Sequence, residues 1–405
     1  MRYYRVVISS LKTGQIYVPN INGVPGFSWV APSAGVSSYT SLNAGMSLFQ
    51  FGSTNMNAQL IEMDMPVTFA HAPGGGTLPF LKLSGVSQAE ISQAANLQGY
   101  RIQVFGGMAA GLPLANPQQA GLLCDGVIWQ AYGINYGQEK SLNIYVNLLS
   151  SQSSNQTTAN PATPSTVPVG VSNATPANIT FQWVAGQPLI TAIQAALSTA
   201  FPQYSLVGAI DPNLVRTGAA ATGFSVTLNQ FARYINATSL SVLQGFAPNR
   251  NNYRGVTIAV QGQTIVISDG TTIATPKQLQ YLDLQGQPTW VGISEVQVTT
   301  TMRGDLNVGD YIVLPNGPGQ ITAGSNSQFY GTQGNQTFAN VNNGTIFAGT
   351  FQVQSLRHVG NSRGPAGSDW ITLIDLFART DQQPTTVAAL PVIRKGTNTY
   401  TQAAA

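Results

Sequence analysis

Apolar and polar residues alternate with period two through most of this chain, and β-branched and aromatic residues fill the apolar positions. That pattern, broken by Gly, Pro, Asn and Asp, predicts antiparallel strands. It is clearest between Gly286 and Ala378, where strands are predicted at Val296–Met302, Leu306–Pro315, Phe351–Gly360 and Trp370–Ala378. Four strands with tight turns favour a small barrel or sandwich. The first third of the chain has the same character. Strands are predicted at Arg5–Ser9, Gln59–Val67 and Tyr100–Gly107, and a closing hairpin pairs Gly121–Gln130 with Leu142–Leu148. In the second of these, Leu60, Glu62 and Asp64 alternate with Ile61, Met63 and Met65, so one face is apolar and the other acidic.

Helical periodicity is confined to three places. Ser87-Gln88-Ala89-Glu90 is a capping box, and Ile91, Ala94, Ala95 and Leu97 continue it at helical spacing. Pro188 opens a second helix whose Leu189, Ile193, Leu197 and Phe201 form one stripe, stopped by Pro202. Thr227-Leu228-Asn229-Gln230 begins a third, with Leu228, Phe231 and Ile235 facing inward. Around these lie a short strand, Phe181–Val184, and a hairpin, Val256–Val260 with Thr264–Ser268.

The expected organisation is therefore mainly β with an α+β module. Residues 1–150 form a first β-rich domain, a closed sheet with a helical plug or cover. Residues 151–176 are a Ser/Thr/Pro-rich linker without charge. The α+β module spans 177–280, and a second β-rich domain spans 281–380. Within that domain, residues 316–345 form a long loop of Gly, Asn, Gln, Ser and Thr, expected to contact a partner. Residues 381–405 are a C-terminal extension without periodicity.

Composition narrows the function classes. Charged residues make up 8% of the chain, against about 25% in an ordinary soluble domain. A polar but nearly uncharged surface suits a protein packed against neighbours. A net charge of +3 with no basic stripe does not fit a sequence-specific nucleic-acid binder. The single cysteine, Cys124, lies in an apolar run and reads as a core residue. The first ten residues lack the apolar core of a signal peptide, and no apolar stretch approaches the roughly eighteen residues of a membrane span, so no membrane insertion is expected.

Little in the chain points to catalysis. The two histidines, His71 and His358, stand far apart, and no ligand cluster suits a metal. Gly74-Gly75-Gly76 lacks the Lys-Ser/Thr of a phosphate loop. Gly-x-Ser-x-Gly is absent, and no carboxylate pair stands out among 14 acids. No catalytic residue, cofactor site or metal site is assigned. Gly309 and Asp310 read as turn residues: the glycine permits the backbone, and the aspartate bonds local N–H groups. Arg357 and His358 read as structural strand-end residues. Arg303-Gly304-Asp305 is too short a match to imply cell adhesion.

Several runs nevertheless resemble one family. Gly106-Gly107-Met108, Gly111 to Pro117 and Ala120 to Leu123, followed by Gly126 to Gly133, resemble the central baseplate hub proteins of contractile-tailed phages. So do Gly186 to Leu189 with Thr199 to Pro202, Met302-Arg303 with Leu306 to Asp310, and Ser355 to Gly360. The likeness covers most of the first 380 residues in order; the 316–345 loop and the tail depart from it.

The resemblance implies a homotrimer on the tail axis, with two tail-tube-like β-barrel domains per chain. Three chains then present a pseudo-six-fold ring that joins a six-fold tail tube to a three-fold spike. It also implies contacts with the tube, the spike and other baseplate (wedge) proteins, and a place in the virion after synthesis in the host cytoplasm. DNA would be met only in transit through a lumen, for which Glu62 and Asp64 are the candidate lining residues. The alternative is a peripheral tail protein or adhesin that binds host-surface glycan through aromatic-bearing loops such as Ser325 to Phe338. A third reading, a hydrolytic spike enzyme, has no residue pattern in its favour.

Overall fold

The structure is a computed structural model. It describes residues 1–11, 13–19, 27–33, 35–71, 78–111, 115–137, 139–148, 179–202, 204–242, 253–262, 264–270, 275–286, 288–291, 295–314, 350–378 and 392–393. The predicted linker, the 316–345 loop and nearly all of the C-terminal extension fall outside these residues.

The first segment supplies β1 (Arg2–Ser9), β2 (Ile16–Pro19), β3 (Phe27–Val30), β4 (Tyr39–Thr40), β5 (Leu60–Thr68) and β6 (Phe80–Ser84). The short helix α1 (Gln88–Ser92) follows, then β7 (Arg101–Met108), β8 (Gly121–Tyr136) and β9 (Glu139–Leu148). In β5 the alternation buries Ile61, Met63 and Met65 and leaves Glu62 and Asp64 on the other face. The Ser87 capping box forms at α1, with Ser87 Oγ accepting from Glu90 N–H and the Glu90 carboxylate accepting from Ser87 N–H. The predicted helix does not run on to Leu97. It stops at Ser92 and tightens into a 3₁₀ turn, Ala94–Leu97, that buries Ala94 and Leu97. The chain must turn there to enter β7, and Gly99 N–H then bonds Ile128 O.

The middle segment comprises β10 (Ile179–Trp183), α2 (Leu189–Ala200), β11 (Ser205–Ala209), β12 (Ala221–Ser225), α3 (Leu228–Val242), β13 (Thr257–Gln261) and β14 (Thr264–Ser268). Pro188 caps α2, whose Leu189, Ile193 and Leu197 are fully buried along with Phe201 just past its end. At α3 the capping box is only half made. Thr227 Oγ1 accepts from Gln230 N–H, but the Gln230 side chain takes the N–H of Val226 instead of Thr227. The β13–β14 hairpin forms in register around Gly262, whose positive φ of 58° closes the turn.

The last segment contributes β15 (Lys277–Gln278), β16 (Thr289–Trp290), β17 (Glu295–Thr301), β18 (Tyr311–Val313), β19 (Thr350–Asn361), β20 (Trp370–Ala378) and β21 (Val392–Ile393). Here the structure departs from two closed barrels. Among the described residues, one sheet runs in the order β16-β17-β20-β19-β5-β6-β9-β8-β7-β1-β2-β3 and does not close. The cause lies in β19, which is 12 residues long and shifts register between Val353 and Ser355. Its N-terminal part pairs with β18, and Ser355–Asn361 pairs with β5 of the first segment. The edge that could have closed the last segment on itself is therefore given to the first. A bulge bends a strand and lets its two halves serve different neighbours. The fold is mainly β, dominated by this antiparallel sheet.

Three apolar cores follow. The first is built from β1 and β5–β9, but Met302 and Trp370 of the last segment complete it. The second lies between α2, α3 and the middle strands. The third gathers Val296, Val298, Ile312, Phe351, Val353, Ile374 and Leu376, joined by Phe69 and Ala259 from the earlier segments.

Candidate functional site

The sequence-derived candidates fall on one strand neighbourhood and one turn. On the solvent side of the sheet, a row of polar groups crosses five consecutive strands. Gln297 on β17 donates to Asp375 Oδ1 on β20 at 3.0 Å, and Ser355 on β19 donates to Asp375 Oδ2. Next along β19, Arg357 grips Asp64 on β5 with both arms, Nε to Oδ1 at 2.8 Å and Nη2 to Oδ2 at 2.6 Å. On β6, Lys82 Nζ stands 3.3 Å from Glu62 Oε2. Hydrogen bonding to Asp64, then its charge, raises the Arg357 pKa further. The face predicted as acidic is thus charge-paired, three acids set among two bases and neutral donors. Arg357 and Lys82 are spent on carboxylates of their own chain.

His358 points to the opposite side of β19. It is buried, its Nδ1 lies 2.9 Å from Thr372 Oγ1, and burial pulls its pKa down to about 4. It lines a cavity of about 50 Å³ at the meeting of the three segments, with Asp125, Gln261 and Asn307 among its walls. That volume has room for about a water molecule or two.

Gly309 and Asp310 occupy the turn before β18. Gly309 has φ of 94°, and its N–H bonds Val353 O. Asp310 Oδ2 accepts from Asn307 N–H and from Lys277 Nζ, both at 2.7 Å. The Arg-Gly-Asp beside it is turned inward. Arg303 grips Asp305 with Nε and Nη2 at 2.7 and 2.6 Å and reaches Asp283 at 3.3 Å, leaving its side chain 4% exposed. Gly304 crosses Gly121 of the first segment so closely that a Cβ on Gly121 would stand 2.3 Å from Gly304 O. The Gly304 N–H also bonds Gln119 O at 2.8 Å, and Gln119 in turn reaches Asp283. Nearby, Trp370 Nε1 donates to Gly107 O at 2.8 Å. This crossing is an internal weld between the two β-rich segments.

Sequence reasoning placed Glu62 and Asp64 on one face but did not find their partners Lys82 and Arg357, or the Asp283–Arg303–Asp305 network. Arg357 and Asp64 are 293 positions apart, and nothing local in either strand signals the other. The burial of Cys124 does follow its apolar run, and that burial raises its thiol pKa. Among the described residues, no three His, Cys, Asp or Glu side chains come together as a metal site.

No family model matches the chain, and no curated protein matches it. Among solved structures it is similar to the 43 kDa tail protein of prophage MuSo2 from Shewanella oneidensis, with 8% identity over 93% of this chain and 98% of that one, at a TM-score of 0.43. It is also similar to the tail protein from Neisseria meningitidis MC58, with 10% identity, 79% and 96% coverage and a TM-score of 0.40. A third similarity is to the lidded Francisella PdpA-VgrG complex, with 8% identity, 96% and 54% coverage and a TM-score of 0.38. At these scores the likenesses assign no function.

Proposed function

We propose that this protein is a structural component of a phage tail, the central baseplate hub that joins the tail tube to the spike as a homotrimer. The observation that carries the reading is the sheet itself. Two β-rich segments, separated in sequence by an α+β module, merge through β19 and β5 into one wall. The solvent face of that wall carries its own counter-charges. Duplicated β-rich units within one chain let three copies present six, which is how a trimer can meet a six-fold tube. In this reading residues 1–150 and 281–380 are the tube-like units, 177–280 is the inserted module, and Glu62 and Asp64 line the lumen.

A wall of this kind suits passage of a polyanion. DNA is held where Lys and Arg neutralise phosphates and release counterions. Here Arg357 and Lys82 already face carboxylates, so DNA would slide past without being trapped. Electron microscopy of assembled tail tips tests the reading. Three copies on the axis between tube and spike are expected; copies confined to the periphery, or a stoichiometry other than three, would overturn it.

A further inference from the structure

The larger sheet of the middle module is finished by a strand from the far end of the chain. Its order is β13-β14-β11-β21. On the β13 side, Ala70 N–H bonds Ile258 O at 2.9 Å. On the other side, β11 pairs with β14 in parallel along Ser205–Ala209 and gives its second edge to β21. There Leu206 faces Ile393 and Val207 faces Val392 in antiparallel register. An edge of this kind needs cover. It carries N–H and C=O groups that any extended chain can pair with, and open edges are protected by charge, proline or a bulge. Ser205-Leu206-Val207-Gly208-Ala209 has neither charge nor proline, and its register with β14 does not shift. Leu206 and Ala209 are buried, so the strand is part of the module and cannot turn away from what lies beside it.

We infer that the β11 edge is a strand-acceptor site, and that the C-terminal segment carrying Val392–Ile393 is its ligand, bound in cis as a removable strap. The segment's sequence suits a short pairing. Val387-Ala388-Ala389-Leu390-Pro391-Val392-Ile393 is the longest apolar run after Ala378, and it ends in two β-branched residues. Pro391 before them has no N–H to give a ladder, and Arg394-Lys395 after them are the charges that stop a strand from recruiting further neighbours. The ligand class is therefore an extended peptide with a β-branched pair between a proline and two bases. Main-chain bonds supply its affinity and alternate side chains its selectivity. Release is built in. Among the described residues, the three apolar cores take nothing beyond Ala378, and β21 meets only two of the five residues of β11. Residues 379–391 span at most about 45 Å, so the strap stays tethered when it leaves. Its departure opens the edge without unpacking a core.

The test uses the full-length chain and a full-length Val392→Pro/Ile393→Pro variant, which removes both ladder donors of β21. Circular dichroism checks the fold. Amide exchange across Ser205–Ala209 should be at least ten-fold faster in the variant, and a synthetic peptide of residues 386–398 should restore it. By fluorescence anisotropy the labelled peptide should bind the variant at least ten-fold more tightly than the parent, whose site is filled. Equal exchange in the two proteins, or equal peptide binding, overturns the proposal. A second pair of full-length variants tests the register. Facing Cα atoms in an antiparallel pair lie about 4.5–5.5 Å apart, within disulfide reach. Under mild oxidation Val207→Cys/Val392→Cys should therefore form an intrachain disulfide at least ten-fold faster than Val207→Cys/Ile393→Cys, whose thiols stand on opposite faces. The native Cys124 is buried and stays out of the reaction. Equal rates, or links only between chains, overturn the strap.

Discussion

Replacing Gly121 by Ala tests whether the two β-rich segments are welded at the Gly121–Gly304 crossing. The added Cβ would meet Gly304 O at 2.3 Å, Gly304 C at 2.7 Å and Gly304 Cα at 3.3 Å. All three are backbone atoms, so no rotamer change can relieve them. Either the Arg303–Asp305 turn retreats or β8 bends away. Overpacking of this kind costs typically 1–3 kcal/mol. A retreat of the turn also stretches the Gly304 N–H bond to Gln119 O, worth about 1 kcal/mol. The expected loss is about 2–4 kcal/mol, read as a lower urea midpoint by circular dichroism and Trp fluorescence. Gly218→Ala is the control. A Cβ there meets nothing within 4 Å and the residue has no positive φ, so alanine should be neutral or stabilise by up to ~1 kcal/mol. If Gly121→Ala unfolds at the same urea concentration as Gly218→Ala, the crossing is not the constraint described.

Two further outcomes are expected. With a folded pKa near 4 against an ordinary 6.5, His358 binds its proton more readily in the unfolded chain. Its contribution is therefore complete above about pH 6.5 and is lost as the pH falls towards 4, about 3 kcal/mol in all. His358→Gln should flatten the stability profile over that window relative to the parent, and parallel profiles would refute the assignment. The ion pairs should separate by burial. Arg303→Met strands Asp283 and Asp305 and should cost about 3 kcal/mol, whereas Asp64→Asn breaks an exposed pair and should cost under ~1 kcal/mol. Equal losses in urea unfolding would contradict the geometry.

Much of the local structure was legible because its causes are local. The alternation of Ile61, Met63 and Met65 with Glu62 and Asp64 fixed which face of β5 is buried. Ser87 and Glu90 marked a helix start, and Pro188 with the Leu189–Ile193–Leu197 stripe marked α2 and its buried side. The helix beyond Ser92 was over-extended because apolar spacing cannot distinguish an α-turn from a 3₁₀ turn that buries the same residues. The candidate face was half legible: its acids could be placed, its bases could not.

By itself, then, the sequence determined the scarcity of charge and the elements whose period is clear, such as β5 and α2, with their buried faces, but not the short strands β2, β3, β6, β11 and β12. Only the tertiary structure decided that β19 serves β18 with one half and β5 with the other, that Arg357 and Lys82 answer Asp64 and Glu62, and that Trp370 completes the first core. The physical reason is that alternation records burial, which each side chain carries in its own chemistry. The edge of a strand offers the same N–H and C=O groups to any neighbour. Which strand lies alongside is settled by the packing of the whole chain, here by a bulge in β19 and by two glycines close enough for their backbones to touch.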